Sequence, residues 1–514
     1  MKFEHTFLEE IIKLIRELQQ NKAPGSDGIS SYIIKKTMYE IAPVLVRLFN
    51  LCMDNGTFPD SLKIASIIPL HKGGQKTVPT NYRPISLLPI FAKLFEKIIK
   101  HRLVEHLDKY NLITDNQFGF RKNRSTELAV TNIHNALLGN LDNNKLTCTI
   151  FLDLAKAFDS VDHNILIKKL DKYGIRNKPL QLIKSYLTDR QHLTKINDIK
   201  SDMKVINIGV PQGSVLGPLL FLLFINDLPL ITDFNVKLFA DDTFLSLVGD
   251  DFKTLRSKAN RELRKVSYWF SANRLTLNVA KSKFMIIKRG NKKPNENFVL
   301  KFNGKKMEQC VSYKYLGIHI DEKLTWKAHI NYLCEKVSKM CGLFSKLRHC
   351  CNKELLRVVY FALVESHLQY CNIIWGNASE RILAPLVKLQ EKIIRIMSFA
   401  STDQSNSEYF FNALKILNLN QLNKLAKAKF IYKYRNNKLP SSFDNILKPN
   451  TNNHTYALRS MITNEFKCVW GKSNFGMKML QYEGAQLWNE IPHEIRNASS
   501  IREFSKQFKS IFFH

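Results

Sequence analysis

Three carboxylates in two short segments are the residues whose types and spacing fit metal-assisted chemistry. Asp153 lies in FLDLAKAFDSVD directly after an apolar run, and Asp241 and Asp242 lie side by side in KLFADDTF. Adjacent ionised carboxylates repel one another, and burial raises that cost. A pair of divalent cations removes the penalty and equips such a cluster for phosphoryl transfer. Because Asp-Asp is also an ordinary polar turn, other segments must decide between the two interpretations.

The elements around these acids are predicted from hydrophobic pattern. Apolar runs at 236–240 and 244–248 flank the Asp241–Asp242 pair, which predicts two strands with the acids at a hairpin tip. The run before Asp153 predicts a buried strand. Asp159 and Asp162 precede a helical pattern, so helix capping is the expected role for one of them.

Between the two acidic segments lies a loop rich in glycine and proline, GVPQGSVLGPLL at 209–220. Its glycines and prolines predict a backbone that approaches another group closely. Gln212 beside Gly213 offers both a hydrogen-bond donor and an acceptor. A connector without function is the alternative for this loop taken alone.

The order of strand with an acid, Gln-Gly loop and Asp-Asp hairpin resembles motifs A, B and C of the reverse-transcriptase palm. NKAPGSDGIS, IIPLHKGG, NYRPISLL and QFGFRKNRST resemble segments that lead into and form the fingers of that family. LTLNVAKSK resembles motif D, and YKYLGIHID resembles the primer-grip region. The combination is similar to reverse transcriptases of non-LTR retrotransposons, in particular the jockey-like group.

The resemblance implies an α+β right-hand polymerase with α/β fingers, a ferredoxin-like palm and a helical thumb, followed by a mainly helical C-terminal region. The implied divisions are an N-terminal helical extension at 1–52, fingers and palm at 53–320, a helical thumb at 321–400 and a basic C-terminal region at 401–514. Apolar residues from Leu8 to Leu18 recur at helical spacing, and Pro24-Gly25 is expected to end that helix.

The resemblance also implies a two-metal site that extends a primer 3′-hydroxyl. Asp153 and Asp241 would bridge two Mg²⁺ ions, with Mn²⁺ as the alternative metal. Leu154 would offer its main-chain carbonyl, and Asp242 would support the metal on the primer side.

Phe158 stands where the family places its sugar gate. A bulky ring beneath the sugar would clash with a 2′-hydroxyl, the group that separates ribose from deoxyribose. A core Phe on an apolar turn is the alternative. The ring also argues against an RNA-dependent RNA polymerase, such as a viral RNA copier, which would prefer a polar residue here.

Basic residues in the fingers segments are the candidates for substrate phosphates. The resemblance favours Arg121 for the incoming triphosphate, with Lys72 and Arg83 as weaker candidates for template contact or for structure. Gln212 and Gly213 would pack against the templating base pair.

Two further segments supply the remaining candidates. Lys281 resembles the motif D lysine, a general acid to pyrophosphate, although Lys283 stands two residues away. Tyr315, Leu316 and Gly317 would position the primer end.

Composition agrees independently with a nucleic-acid partner. The chain has 77 Lys and Arg against 45 Asp and Glu, a net charge of +32, and one dense basic stretch lies at 424–438. So large an excess destabilises a compact chain unless a polyanion is the usual partner. Expected partners are an RNA template, a DNA primer or nicked target DNA, and deoxynucleoside triphosphates.

Other classes of protein find less support. No apolar run approaches the length of a membrane span, and no signal-peptide pattern or other clear targeting signal occurs, so we expect an intracellular protein of the nucleus or cytoplasm without a membrane partner. Nine scattered Cys without a C-x-x-C pair favour reduced thiols over a zinc knuckle or a disulfide framework.

Two activities often joined to such polymerases have no matching segment. No upstream apurinic-type endonuclease and no RNase H block is recognisable, so we expect a 5′-truncated copy whose endonuclease activity comes from elsewhere. The alternative function is a catalytically idle nucleic-acid-binding remnant of such an element.

Overall fold

The structure is a computed structural model that describes residues 1–197, 199–290, 298–399, 407–450 and 465–513. The chain divides into two compact units. Unit 1 comprises Met1–Phe120, Asp153–Thr232 and Arg264–Asn278, and unit 2 comprises Arg121–Leu152, Asp233–Leu263 and Val279–His514. Helices and sheets both occur in each unit, in agreement with the α+β expectation.

The α-helices are α1 (Leu8–Arg16), α2 (Ser31–Lys36), α3 (Met38–Asn55), α4 (Ile90–Lys109), α5 (Thr126–Asp142), α6 (His163–Lys172), α7 (Asn177–Leu187), α8 (Gly217–Ile225), α9 (Phe252–Ala272), α10 (Lys327–Leu347), α11 (Lys353–Tyr360), α12 (Ser366–Gln369), α13 (Asn372–Trp375), α14 (Glu380–Met397), α15 (Ser407–Leu414), α16 (Leu419–Arg435), α17 (Asn474–Met477), α18 (Ala485–Glu490), α19 (His493–Arg496) and α20 (Ile501–Ser510). Among the described residues, no helix combines the length and apolarity that crossing a bilayer requires.

The strands are β1 (Ile64–His71), β2 (Tyr82–Leu87), β3 (Leu146–Leu152), β4 (Arg190–Ile196), β5 (Ile199–Lys200), β6 (Lys204–Ile206), β7 (Asn235–Phe239), β8 (Asp242–Gly249), β9 (Lys283–Ile287), β10 (Lys301–Phe302), β11 (Lys305–Lys306), β12 (Glu308–Gln309), β13 (Ser312–Tyr315), β14 (Ile318–Asp321), β15 (Lys448–Pro449) and β16 (Phe466–Lys467).

Unit 1 is built on a sheet of order β2-β1-β4-β5, in which β6 also pairs with β4. The β1–β2 pair is antiparallel and the β1–β4 pair is parallel. Helix α8 is buried along almost its whole length, since GPLLFLLFI has no polar side chain to present to water.

Unit 2 is built on a sheet of order β12-β9-β3-β8-β7. Strand β3 is central and completely buried, and it pairs antiparallel with both β8 and β9. A central strand must be apolar on both faces, as LTCTIFL largely is. The segment that follows Trp326 begins with the helices α10 and α11.

Two local predictions can be compared directly with the structure. Asp162 is the N-cap of α6, and its carboxylate accepts a hydrogen bond from the Ile165 N–H at 3.0 Å. The predicted helix through Leu18 is shorter than expected, because α1 ends at Arg16, well before Pro24. Propensity patterns commonly misplace helix ends in this way.

Candidate active site

The Asp241–Asp242 pair lies at the tip of a tight hairpin, as predicted. Strands β7 and β8 pair antiparallel to their ends, with Phe239 opposite Asp242, so Ala240 and Asp241 form the two-residue turn. Ala240 has a φ of 55°, a left-handed conformation that a residue with a Cβ rarely adopts. Asp241 is half-buried and Asp242 is exposed. The strained turn holds two carboxylates side by side.

The register of unit 2 brings the end of β3 to the start of β8. Leu152, the last residue of β3, pairs with Thr243, the residue after Asp242. Asp153 follows Leu152 directly in the chain and is half-buried.

In unit 1, the main chain after Asp153 pairs with the segment that resembles motif D. Asn278 donates its N–H to the Asp153 carbonyl at 2.9 Å, and Ala155 donates to the Thr276 carbonyl at 2.9 Å. These two bonds lie on either side of an antiparallel bridge between Leu154 and Leu277, and neither the Leu154 carbonyl nor the Leu277 carbonyl takes part in them. Because successive carbonyls of an extended chain point to opposite sides, the Leu154 carbonyl points away from the segment that contains Leu277.

The donor set fits a hard divalent cation in its chemistry. Three carboxylates and a main-chain carbonyl are the oxygen ligands that Mg²⁺ prefers. Within the described ranges, no group of three or more His, Cys, Asp and Glu side chains is arranged as a metal site. The assignment of Asp153, Leu154, Asp241 and Asp242 as ligands therefore stays a prediction.

The Gln-Gly loop is locked into unit 1 by its backbone. The Gln212 carbonyl accepts the Ser86 N–H of β2 at 2.7 Å, and a Cβ on Gly213 would stand 2.9 Å from the Ser86 oxygen. Gly213 also has a φ of +108°, so any other residue would be strained. The Gln212 side chain donates to the Asp159 carboxylate at 2.9 Å. The predicted close approach therefore occurs against β2 and Asp159.

A buried glutamate that the sequence reasoning missed anchors the helix that follows this loop. Glu96 of α4 is 0 % exposed, and one of its oxygens accepts the Val215 and Leu216 N–H groups at 2.6 and 3.0 Å. Burial raises the pKa of Glu96, and the charge of buried Arg190 and both amides oppose that shift. Such a long-range cap leaves no local signal in the sequence.

Phe158 is held firmly but is not a fully buried core residue. Its ring stacks on Phe221 of α8, with centroids 4.8 Å apart, and meets Phe120 edge-on at 6.4 Å. Its carbonyl accepts the Val210 N–H at 2.8 Å, which ties it to the Gln-Gly loop. The half-exposed ring therefore has a fixed position from which it can act on a ligand.

Tyr315, Leu316 and Gly317 form the turn between β13 and β14. Tyr315 pairs with Ile318, and the φ angles of Leu316 and Gly317 are both positive, 46° and 84°. This is the turn type that matches strand twist in a two-residue hairpin. Tyr370 clamps it, because its hydroxyl donates to the Leu316 carbonyl at 2.5 Å and its ring lies against Gly317.

Tyr315 links this turn to the Asp-Asp hairpin within unit 2. Its ring packs near Phe151 and Phe244, at 5.6 and 5.9 Å between centroids. Burial and the negative charge of Asp242 raise the pKa of Tyr315 well above its usual value, so the phenol stays neutral. Among the described residues, its hydroxyl has no hydrogen-bond partner.

The basic candidates are divided between the two units. In unit 1, Arg83 on β2 and Lys72 just after β1 are both exposed at the same end of the β1–β2 pair. In unit 2, Arg121 is half-buried before α5 and Lys281 is exposed before β9. Lys283 forms an ion pair with Glu308 at 2.7 Å.

Comparison with known proteins agrees with this arrangement. Residues 70–320 match the family described as reverse transcriptase (RNA-dependent DNA polymerase). This stretch contains both acidic segments, the Gln-Gly loop and the β13–β14 turn. Residues 70–320 therefore belong to the reverse transcriptase family.

Curated relatives extend the similarity to 76% of the chain. The RNA-directed DNA polymerase from mobile element jockey of Drosophila melanogaster is 32% identical over 413 residues, and its counterpart from Drosophila funebris is 30% identical over 411. The probable RNA-directed DNA polymerase from transposon BS of Drosophila melanogaster is 30% identical over 419 residues. The chain spans 44% of the length of each of these relatives. The resemblance to jockey-like non-LTR elements is confirmed.

Proposed function

We propose that this chain is an RNA-directed DNA polymerase of a non-LTR retrotransposon, which extends a primer 3′-hydroxyl on an RNA template. The observation that carries the proposal is the pairing of Leu152 with Thr243, since those residues adjoin Asp153 and Asp242 in the chain. Membership of residues 70–320 in the reverse transcriptase family supports it.

The assignment of sheets and helices to fingers, palm and thumb follows the right-hand architecture that the family resemblance implies. We assign the sheet of unit 1 to the fingers and the β3-centred sheet of unit 2 to a ferredoxin-like palm. Helices from α10 onward would form the thumb and then the basic C-terminal region. The helical pattern at 321–400 and the mixed elements at 53–320 support this division.

Asp153, Asp241 and Asp242, with the Leu154 carbonyl, would hold two Mg²⁺ ions. When bound, such ions stabilise the attacking and leaving oxygens of an in-line phosphoryl transfer. The carboxylates contribute negative charge that binds and orients the ions, and the Ala240–Asp241 turn keeps two of them adjacent. Lys281 would donate a proton to the departing pyrophosphate.

The substrate contacts follow from the loops around the acids. Arg121 would bind the triphosphate, while Lys72 and Arg83, exposed beside one another in unit 1, would contact template phosphates. Gln212 and Gly213 would pack against the templating base pair from the anchored loop. Tyr315, Leu316 and Gly317 would support the primer terminus, with Tyr370 holding their turn.

Phe158 would exclude ribonucleotides. The ring cannot swing aside easily because Phe221 stacks on it and the Val210 N–H fixes its backbone. A 2′-hydroxyl placed against such a ring meets a rigid obstacle, and this supports DNA as the product.

Primer extension by the purified full chain tests the proposal. An RNA template with an annealed DNA primer, Mg²⁺ and four deoxynucleotides should yield extended product, and a chelator should stop the reaction. Template binding that falls steeply with salt, but without any extension in Mg²⁺ or Mn²⁺, would instead identify the chain as a nucleic-acid-binding remnant.

A further inference from the structure

Unit 2 contains a pocket lined by three lysines that the proposed polymerase chemistry does not use. Lys429 and Lys433 come from α16, and Lys509 comes from α20. The first turn of α5 closes another side with Ser125 and Glu127. The cavity measures about 250 Å³, far above the ~10–15 Å³ that one water needs.

The three ammonium groups form no direct ion pair with a described residue. All three lysines are half-buried, and the carboxylates that interact with them at longer range are Glu127, with Lys429 and Lys433, and Glu365, with Lys509. Lys429 and Lys433 stand four residues apart on α16, so they face each other as like charges. Burial and the charges of Lys433 and Lys509 lower the pKa of Lys429, whereas Glu127 opposes this shift.

Glu127 does not cancel this charge. Its carboxylate is the only acid among the residues that line the pocket, and Glu365, which accepts a hydrogen bond from Gln369 behind the lining, is the other acid that interacts with Lys509. The three lysines therefore still outnumber these two acids by one. Burial raises the pKa of Glu127, and the charges of Lys433 and Lys429 oppose that shift. A cavity lined by an excess of positive charge raises the local concentration of anions, so an anion is the kind of ligand that this pocket favours.

The chemistry of the lining selects the kind of anion. Lysines bind phosphate as mobile point charges, and several can surround one tetrahedral group. The 17-residue helix α5 directs its positive N-terminal end toward the same space, and Ser125 caps it by accepting the Leu128 N–H at 3.2 Å. Gln369 and Ser505 add neutral donors to the lining.

We propose that this lysine pocket, formed by Lys429, Lys433 and Lys509 at the start of α5, binds a phosphate group. The phosphate can belong to a nucleic-acid strand or to a free phosphate compound, and both present the same oxygens. Binding here is independent of polymerisation, so the site can exist whether or not the chain makes DNA.

The test uses the full chain and inorganic phosphate as the first probe. Calorimetry at constant ionic strength should find saturable binding to the parent. Replacing all three lysines with Gln should weaken it by at least about tenfold for each charge-assisted contact removed. The matched control is Lys424→Gln with Lys506→Gln, which removes exposed lysines from the same two helices and should leave binding unchanged.

A second arm distinguishes the sources of the phosphate. Single-stranded RNA with a 5′-phosphate and the same RNA with a 5′-hydroxyl are compared on parent and triple variant. Loss of affinity for the phosphorylated RNA alone assigns the pocket to a terminal or free phosphate, and equal loss for both assigns it to the strand backbone.

Folding is checked with the single variants. Each Lys→Gln change removes a like-charge neighbour, so thermal stability without phosphate should be retained. Phosphate binding that is equal in the parent and in every folded lysine variant, or that falls as much in the control, would overturn the proposal.

Discussion

Glu96 and Asp162 differ from Asp241 and Asp242 in what surrounds their carboxylates. Glu96 is fully buried and accepts two main-chain N–H groups, and Asp162 caps α6 and pairs with Arg274 at 2.7 Å. Asp241 instead forms a strained two-residue turn with Ala240, and Asp242 follows it as the first residue of β8, so each acid is beside a like charge. The first pair stabilises the fold, whereas the adjacent charges of the second pair repel one another.

This difference indicates how acids that serve the fold can be separated from acids that serve a reaction. A structural carboxylate uses its lone pairs on donors that belong to a helix end. A reactive carboxylate is held next to another negative charge, an arrangement that an external divalent cation makes favourable. Variants at the two kinds of position should therefore have opposite effects on stability and activity.

The largest effect is expected at Asp153. Asp153→Asn keeps the side-chain volume but removes a metal-binding charge, so the loss falls on the transition state. Several kcal/mol of lost stabilisation corresponds to roughly a thousandfold slower extension. Single-turnover primer extension measures this effect, and template affinity should stay near the parental value. Asp242→Asn should slow extension less than Asp153→Asn; equal rates for parent and both variants would refute the metal assignment.

For Glu96, the main expected effect of substitution is on stability. Glu96→Ala leaves two N–H groups without their acceptor and removes the negative charge that interacts with buried Arg190, which should cost about 3 kcal/mol of unfolding free energy. Urea denaturation measures the loss, with Glu105→Ala, an exposed glutamate on the same helix, as the control. Parental stability in Glu96→Ala would mean that the Gln-Gly loop does not depend on this anchor.

Substitution of Phe158 tests how the enzyme distinguishes deoxyribonucleotides from ribonucleotides. Phe158→Ala opens the space that a 2′-hydroxyl needs, so discrimination against ribonucleotides should fall by about tenfold or more. The measured quantity is the ratio of kcat/KM for matched deoxy- and ribonucleotides on one RNA template. Because both substrates meet the same variant, partial misfolding cancels from the ratio. An unchanged ratio would return Phe158 to a purely structural role.

Asp162 should give the smallest effect. Asp162→Ala removes the α6 cap and should cost about 1 kcal/mol, whereas Asp162→Asn keeps a good cap and loses only the Arg274 pair. Burial raises the pKa of Asp162, but the Ile165 N–H and Arg274 outweigh it and lower the pKa overall. The charge therefore stabilises the fold at neutral pH, and this contribution disappears as pH falls through the folded-state pKa. Urea midpoints that differ between parent and Asp162→Asn at pH 7 should converge as the pH falls below the usual range of a carboxyl pKa; a difference that grows as the pH falls would contradict this sign.

Local patterns account for much of the fold and of the candidate site. The apolar runs on both sides of Asp241–Asp242 predict β7, β8 and the tip between them, and the acids before a helical pattern predict a cap at Asp159 or Asp162. Glu96 could not be predicted in this way, because its partners lie 119 and 120 residues away and no local signal marks a long-range cap. The lysine pocket could not be predicted for the same reason. The sequence at 424–438 indicates a basic helix, but it does not show which lysines lie near α5 and α20.

The most direct test of the difference between these acids uses two variants at opposite ends of β8. Asp241→Asn alters the hairpin tip, and Asp250→Asn alters an exposed acid just beyond Gly249 that pairs with Lys145. Extension and urea stability are measured for both. We predict that Asp241→Asn loses extension by at least about a thousandfold while its stability is equal or higher, and that Asp250→Asn extends as the parent does. Normal extension by Asp241→Asn, or loss of its fold together with its activity, would contradict the account.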